Sequence, residues 1–210
     1  MSTTESTAGS DLPPDDLQPA WEVAHLFPPQ GHWDESDFLR IHTNRMAELV
    51  DGHLEILPTP TWVHAWIVDF FVTRFKRHLQ DHSLGGHVFT AVLPVRLFEG
   101  TIREPDVMYF APGSEPPAGE EYPSHVDLAI EVVSEGSDAR KRDYVSKRHD
   151  DAKAGVPEYW IVDPFERRIT VLSLRGGQYA EVGRFEAGQT AHSELLAGFH
   201  VQVDDVFAKV

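Results

Sequence analysis

The stretch Val126-Asp127-Leu128-Ala129-Ile130-Glu131-Val132-Val133 decides the fold. It is apolar except at Asp127 and Glu131, a pattern that fits a strand buried on both faces. A helix is expected over 139–154, closed by Gly155 and Pro157 in the order usual at a helix C-terminus. Tyr159-Trp160-Ile161-Val162 reads as another buried strand. Strand, helix and strand together predict a βαβ-like core within a larger sheet.

Upstream, a short helix is expected over 36–46, with Ser36 as its cap. Asp51-Gly52 separates two runs of strand formers, which signals a two-residue hairpin. Such a turn pairs Val50 with His53, Leu49 with Leu54, and Glu48 with Glu55. Val63, Trp66, Ile67, Phe70, Phe71, Phe75 and Leu79 then recur at helical spacing, and Trp62, Trp66 and Phe70 are expected in the core. A strand region follows over 87–98, interrupted by Pro94, and a short strand over 107–110 lies between Pro105 and Pro112. Residues 113–124 read as an exposed loop. Downstream, 169–174 and 179–185 flank Gly176-Gly177 as a second hairpin, and 199–203 adds a last strand. The expected class is α/β (α+β), a mixed β-sheet flanked by helices with additional hairpins. Residues 1–18, rich in Ser, Thr, Asp and Pro, are expected to form a disordered acidic tail, with one domain over 19–210.

Composition excludes several chemistries. The 210 residues contain no cysteine, which removes disulfides, thiolate catalysis and cysteine-based metal sites. No apolar run reaches the ~18 to 20 residues that cross a bilayer, and the N-terminus has no export pattern, so a cytoplasmic protein is expected. Lys and Arg number 18 against 34 Asp and Glu, a formal charge of −16 that repels a polyanion on average. The main basic cluster is Arg140, Lys141, Arg142, Lys147 and Arg148. Nucleic-acid contact, if any, is expected from Arg140, Lys141, Arg142 and Arg148. There is no His-Glu-x-x-His, no phosphate-binding glycine loop and no serine nucleophile elbow.

Glu131 carries the chemical argument, because a carboxylate within an apolar strand must be paired, solvated or bound to metal. Asp106, at the start of another short strand, is a natural neighbour. Two converging carboxylates suit a hard cation such as Mg²⁺ or Mn²⁺. The structural alternative has Asp106 capping a turn while Glu131 pairs with Arg96 or Arg103. For Glu48 the alternatives are a solvent-facing hairpin acid or a member of a site in which a cation relieves its pairing with Glu55.

Pro105-Asp106 followed by Glu131-Val132-Val133 resembles the bipartite motif of the PD-(D/E)XK nuclease superfamily, with Val133 where the lysine usually stands. Four strings in order are similar to the Uma-type family of restriction endonucleases: Glu48-Leu49-Val50-Asp51-Gly52, Arg103-Glu104-Pro105-Asp106, residues 128–134 and residues 154–164. Leu195-Leu196-Ala197-Gly198-Phe199 also fits, so the likeness runs from about Trp33 to the C-terminus. The resemblance implies a restriction-endonuclease-like sheet and a divalent metal on Asp106, Glu131 and the Val132 carbonyl. It also implies a displaced lysine, Lys147, returning from the following helix to stabilise phosphoryl charge, with Glu48 in the same site. His64 matches a recurrent histidine of the family and is a candidate phosphate or acid contact. Asp151 departs from the pattern, which more often carries an aromatic residue there, and an acid one turn from Lys147 could hold the lysine away.

The expected function is metal-dependent hydrolysis of nucleic acid, with DNA as the substrate the resemblance implies, Mg²⁺ or Mn²⁺ as cofactor and a homodimer as the natural assembly for cutting two strands. A catalytically idle nuclease fold that binds nucleic acid or protein is the alternative. A carboxylate metal-binding protein without phosphodiesterase activity is a third reading.

Overall fold

The computed structural model describes residues 26–41, 46–91, 93–120 and 122–210. The tail expected over 1–18 lies outside the described residues, as do residues 42–45 of the helix expected over 36–46.

The strands expected around Glu131 form the centre of a six-stranded sheet. Its strands are β3 (His87–Thr90), β6 (Val107–Phe110), β7 (Leu128–Val132), β8 (Glu158–Asp163), β9 (Arg168–Arg175) and β10 (Gln178–Phe185). They lie in the order β10-β9-β8-β7-β6-β3. β7 and β8 run parallel, with Ile130 opposite Trp160, whereas every other neighbouring pair is antiparallel. The mixed sheet follows from the connections: tight turns join β8 to β9 and β9 to β10 as antiparallel neighbours, while the helix-bearing crossover from β7 to β8 returns a parallel strand.

A second sheet, ordered β2-β1-β5-β4, combines β1 (Ala47–Val50), β2 (His53–Ile56), β4 (Val95–Phe98) and β5 (Thr101–Arg103). The expected hairpin register holds: Glu48 faces Glu55, and Val50 faces His53. Asp51 and Gly52 take positive φ, 47° and 75°, as a tight two-residue hairpin turn demands. β11 (Thr190–His192) and β12 (His200–Gln202) form a small antiparallel pair, and α5 (Val203–Val206) follows.

Alternation along β7 divides the core. Leu128, Ile130 and Val132 join the cluster packed by α2 (Trp62–Asp81), whose Ile67, Phe71 and Phe75 are fully buried. Each such side chain contributes about 1.5 to 3 kcal/mol through lost water contact. Ala129 and Val133 belong to the opposite cluster, with Met108, Tyr159 and Ile161. Glu131 shares the parity of Ala129 and Val133 and so leaves the sheet on that face.

Three local expectations are corrected. The first helix is α1 (Glu35–Leu39), capped by Asp34, whose carboxylate accepts the Asp37 N–H at 2.8 Å. A carboxylate two residues earlier outcompetes Ser36, whose hydroxyl instead donates to Asp34. Trp62 is not in the core but 77% exposed, because Thr61 caps α2 and leaves Trp62 at its first position, off the buried stripe; Trp66 and Phe70 do pack against the core. Finally, the helix expected over 139–154 is not one α-helix. It consists of α3 (Ser137–Lys141), a π-helical turn over Arg142–Ser146, and α4 (Lys147–Ala154), which Gly155 ends at φ 84°. The Lys147 N–H reaches back to the Arg142 carbonyl, the wider spacing that defines a π turn.

Candidate active site

β6 and β7 pair with Val107 opposite Ile130, and one further step of that register sets Asp106 against Glu131. Directly opposed residues of an antiparallel pair place their side chains within reach of one another. Asp106 is fixed from two sides: one carboxylate oxygen accepts the Val132 N–H at 2.7 Å, and the other lies 3.1 Å from His64 Nε2. His64 stands in the first turn of α2, where its own N–H is accepted by the Thr61 hydroxyl.

Lys147, the first residue of α4, turns its ammonium inward. Its Nζ lies 2.8 Å from Glu131 Oε2 and 3.0 Å from Glu48 Oε1. Glu48 comes from the other sheet, and Arg103 anchors it there. One guanidinium nitrogen donates to Glu48 at 2.7 Å and to Glu55 at 3.2 Å, while the other end grips Asp150 at 2.6 Å. The Glu104 N–H gives Glu48 a further hydrogen bond at 3.0 Å. The cation that the Glu48–Glu55 pairing requires is thus Arg103.

Burial and charge set the proton affinities. Burial works against the Lys147 ammonium, but Glu131 and Glu48 outweigh it and hold its pKa above the ordinary value. Burial likewise works against the charged form of Glu48, yet Lys147 and Arg103 bring its pKa below normal. Glu131 goes the other way: burial raises it well above the usual carboxylate range, Lys147 opposes, and the charges of Asp106 and Glu48 add to the rise. His64 is pulled down by burial and raised overall by its hydrogen bond and proximity to Asp106. Burial, reinforced by Glu48, pushes Glu104 up to about 7.

Asp106, Glu131, Lys147 and His64 line one cleft of about 690 Å³. Glu48 lies behind it, fully buried, and touches the cleft only through Lys147. The four acidic and basic residues singled out in the sequence therefore meet at one point, together with His64. Glu131 does not pair with Arg96 or Arg103: Arg96 binds Glu35, and Arg103 binds Glu48, Glu55 and Asp150. Asp151 does not hold Lys147 away; both of its carboxylate oxygens are buried without a hydrogen-bond partner among the described residues. The basic run is dispersed. Arg140 binds Asp163 and Glu166, Arg142 lines the cleft but pairs with Asp143, Lys141 is exposed, and Arg148 lines a separate hollow beside Tyr179.

Glu131 Oε1 is buried and has no hydrogen-bond partner among the described residues. Buried carboxylates of Glu48, Asp106, Glu131 and Asp143 converge on one lysine, and Arg103 and Arg142 are shared with further acids or set to one side. Such a surplus of negative charge suits a hard divalent ion. Among the described residues, no group of three or more His, Asp or Glu side chains forms a ready cage, so a cation here would draw on Glu131, Asp106 and a backbone carbonyl such as that of Val132.

Sequence reasoning missed three participants: Arg103 as the clamp on Glu48, Asp143 beside the Ser134 N–H in the cleft wall, and the exposed Phe165 on the same cleft. The one available signal was the adjacency of Arg103 to Glu104-Pro105-Asp106; its strand, Thr101–Arg103, is buried on both faces.

Comparison with curated proteins gave no match. Among solved structures, a protein from Anabaena variabilis described as a "putative nuclease belonging to DUF820" superposes with a TM-score of 0.69 at 19% identity, covering 84% of this chain and 98% of that one. At that identity the likeness establishes a shared fold, a mixed sheet with flanking helices. The profile of the Uma2 family, described as "Putative restriction endonuclease", matches residues 33–204, and with that span the chain belongs to the Uma2 family.

Proposed function

We propose that this protein is a metal-dependent nuclease that hydrolyses phosphodiester bonds, with DNA as the foremost substrate. The observation that carries the reading is the Lys147 ammonium, held between Glu131 and Glu48 at the floor of a cleft where Asp106 stands against Glu131. Membership of the Uma2 family supports it. Asp106, Glu131 and the Val132 carbonyl would hold Mg²⁺ or Mn²⁺, which supplies Lewis-acid charge at the phosphoryl group when bound.

The chain's own residues supply the rest. An ammonium has three donors, and two of those on Lys147 are taken by Glu131 and Glu48, which leaves one for a phosphoryl oxygen. Burial fixes that donor before substrate arrives, so no reorganisation is needed as charge develops. His64 holds Asp106 from the cleft side, and the Val132 N–H holds it from the sheet.

The test is a cleavage screen on single- and double-stranded DNA and RNA, with Mg²⁺ or Mn²⁺ and with EDTA, beside Asp106→Ala protein. Cleavage that needs the metal and is lost in the variant supports the reading. Metal-independent cleavage, or cleavage retained in the variant, refutes it. Binding without cleavage establishes the idle alternative.

A further inference from the structure

The walls of the cleft differ from its floor. Apolar side chains line much of it: Met46, Leu57 and Val63 around the approach to α2, and Pro164 and Phe165 from the turn between β8 and β9. Phe165 is 55% exposed although its backbone is pinned, its N–H donating to the buried Asp163 carboxylate at 2.9 Å. Trp62, 77% exposed, lies between Thr61 and Val63, both of which line the cleft. Neither ring stacks on another aromatic ring among the described residues.

Charge is distributed in the opposite sense to that of a duplex-binding groove. Among the described residues that line the cleft, Arg142 and Lys147 are the fixed cations, against Asp106, Glu131, Glu135 and Asp143. Lys147 is committed to Glu131 and Glu48, and Arg142 to Asp143. A duplex hides its bases and presents two rows of phosphate, which such a cleft has almost no free cation to meet. A single strand exposes its bases, and these stack on aromatic and apolar surface irrespective of sequence.

We infer that the cleft takes single-stranded nucleic acid, its bases stacked on Phe165 and Trp62 while one phosphate reaches Lys147. The inference rests on the nuclease reading for its scissile phosphate and names the substrate class of that same site. Stacking replaces phosphate neutralisation as the source of affinity, which reconciles a nucleic-acid site with a chain of net charge −16.

The test uses the full chain and a fluorescein-labelled oligothymidylate of about twelve nucleotides, within the usual site size of single-strand binders. Anisotropy is read in EDTA and again in Ca²⁺, for the single strand and for its duplex with oligodeoxyadenylate, at about 50 and about 200 mM salt. Expected are tighter binding of the single strand and a shallow salt dependence. A loss of affinity of about tenfold or more is expected in Phe165→Ala and Trp62→Ala, with Phe165→Trp restoring it. Equal or tighter binding of the duplex, absence of binding by either form, or wild-type affinity in both alanine variants overturns the inference. The cleavage screen separates the two proposals. Metal-dependent cutting of duplex and single strand alike leaves the nuclease standing and removes the single-strand site. Stacking-dependent binding with no cleavage in any metal leaves the single-strand site and removes the nuclease.

Discussion

Glu48 and Glu55 stand opposite one another in the β1–β2 hairpin with a single guanidinium between them, Arg103 Nη1 lying 2.7 Å from one and 3.2 Å from the other. The same guanidinium ties Asp150 of α4 to the hairpin, so one side chain joins the four-stranded sheet to the helix that carries Lys147. Positioning of the ammonium depends on it.

Arg103→Met leaves the fully buried Glu48 with Lys147 as its remaining cation and takes away the one that lies between Glu48 and Glu55. A loss of about 3 to 5 kcal/mol is expected from urea unfolding, the usual consequence of breaking a buried pair from one side. Adding Glu48→Gln to that variant is expected to recover part of the loss, since it removes the buried charge left facing Glu55. Arg103→Lys is expected to rescue little, because an ammonium lacks the fork that bridges Glu48 and Asp150.

Lys147→Met is expected to lower single-turnover cleavage by about 10² to 10³, the range for removing one donor aimed at developing charge. Substrate affinity is expected to change little. Lys141→Met serves as the control, and its rate is expected to match wild type because Lys141 is exposed on α3. Equal rates in all three proteins would take Lys147 out of the mechanism. The measurement belongs below the unfolding midpoint of the variant, since its loss also unpairs Glu131 and Glu48.

Asp151 carries a pH dependence of known sign. Burial lifts its carboxyl from an ordinary 3.8 to about 7, against the pull of Lys147 and Arg103. A group whose pKa is higher folded than unfolded stabilises fully below the unfolded value, and that contribution is lost as pH rises through the folded one. Stability is therefore expected to fall between about pH 4 and pH 7. Asp151→Asn is expected to raise the urea midpoint above about pH 8 by an amount worth about 1 to 3 kcal/mol, and to change it little below about pH 4. An identical pH profile in the two proteins would show that Asp151 is charged in the fold.

Arg142 and Arg148 are six positions apart and separable by experiment. Arg142 lines the cleft, whereas Arg148 donates to the Tyr179 carbonyl in another hollow. Arg142→Glu is expected to weaken oligonucleotide binding, because it leaves Asp143 unpaired and adds another acid to the cleft wall, while Arg148→Glu leaves binding unchanged. The reverse pattern would place the nucleic acid on the Arg148 surface.

The sequence was legible where a local rule governs. Asp51-Gly52 sets the hairpin register because few turns of two residues fit that geometry, and the register forces Glu48 against Glu55. The near-continuous apolar run over 128–133 identifies a strand buried on both faces and exposes Glu131 as anomalous. Arg103 escaped because its partners, Glu48, Glu55 and Asp150, lie about fifty residues away on either side. The basic run misled because proximity in the chain is not proximity in space: Arg140 is neutralised by Asp163 and Glu166, which belong to the next strand and its turn. Trp62 misled because hydrophobicity at a helix end says nothing of which side of the cap it falls on. Lys153, six residues beyond Lys147 on the same helix, lies over the Phe98 ring at 3.6 Å.

The π turn over Arg142–Ser146 makes the place of the lysine a matter of counting. A π turn holds one residue more than the α turn it replaces, and each α-helical residue advances the chain by about 100°. Remove one residue from 143–146 and the Lys147 N–H would meet the Arg142 carbonyl across an ordinary α turn, so a regular helix one residue shorter keeps the lysine where it reaches Glu131; closing the turn without that loss would bring Ser146 there instead. Two chains can therefore agree letter for letter around this lysine and still differ in where its ammonium ends, if one of them closes the turn. Alignments that score identity alone would count such a chain as intact, whereas a single gap in this segment marks a regular helix that still carries the lysine to the same place.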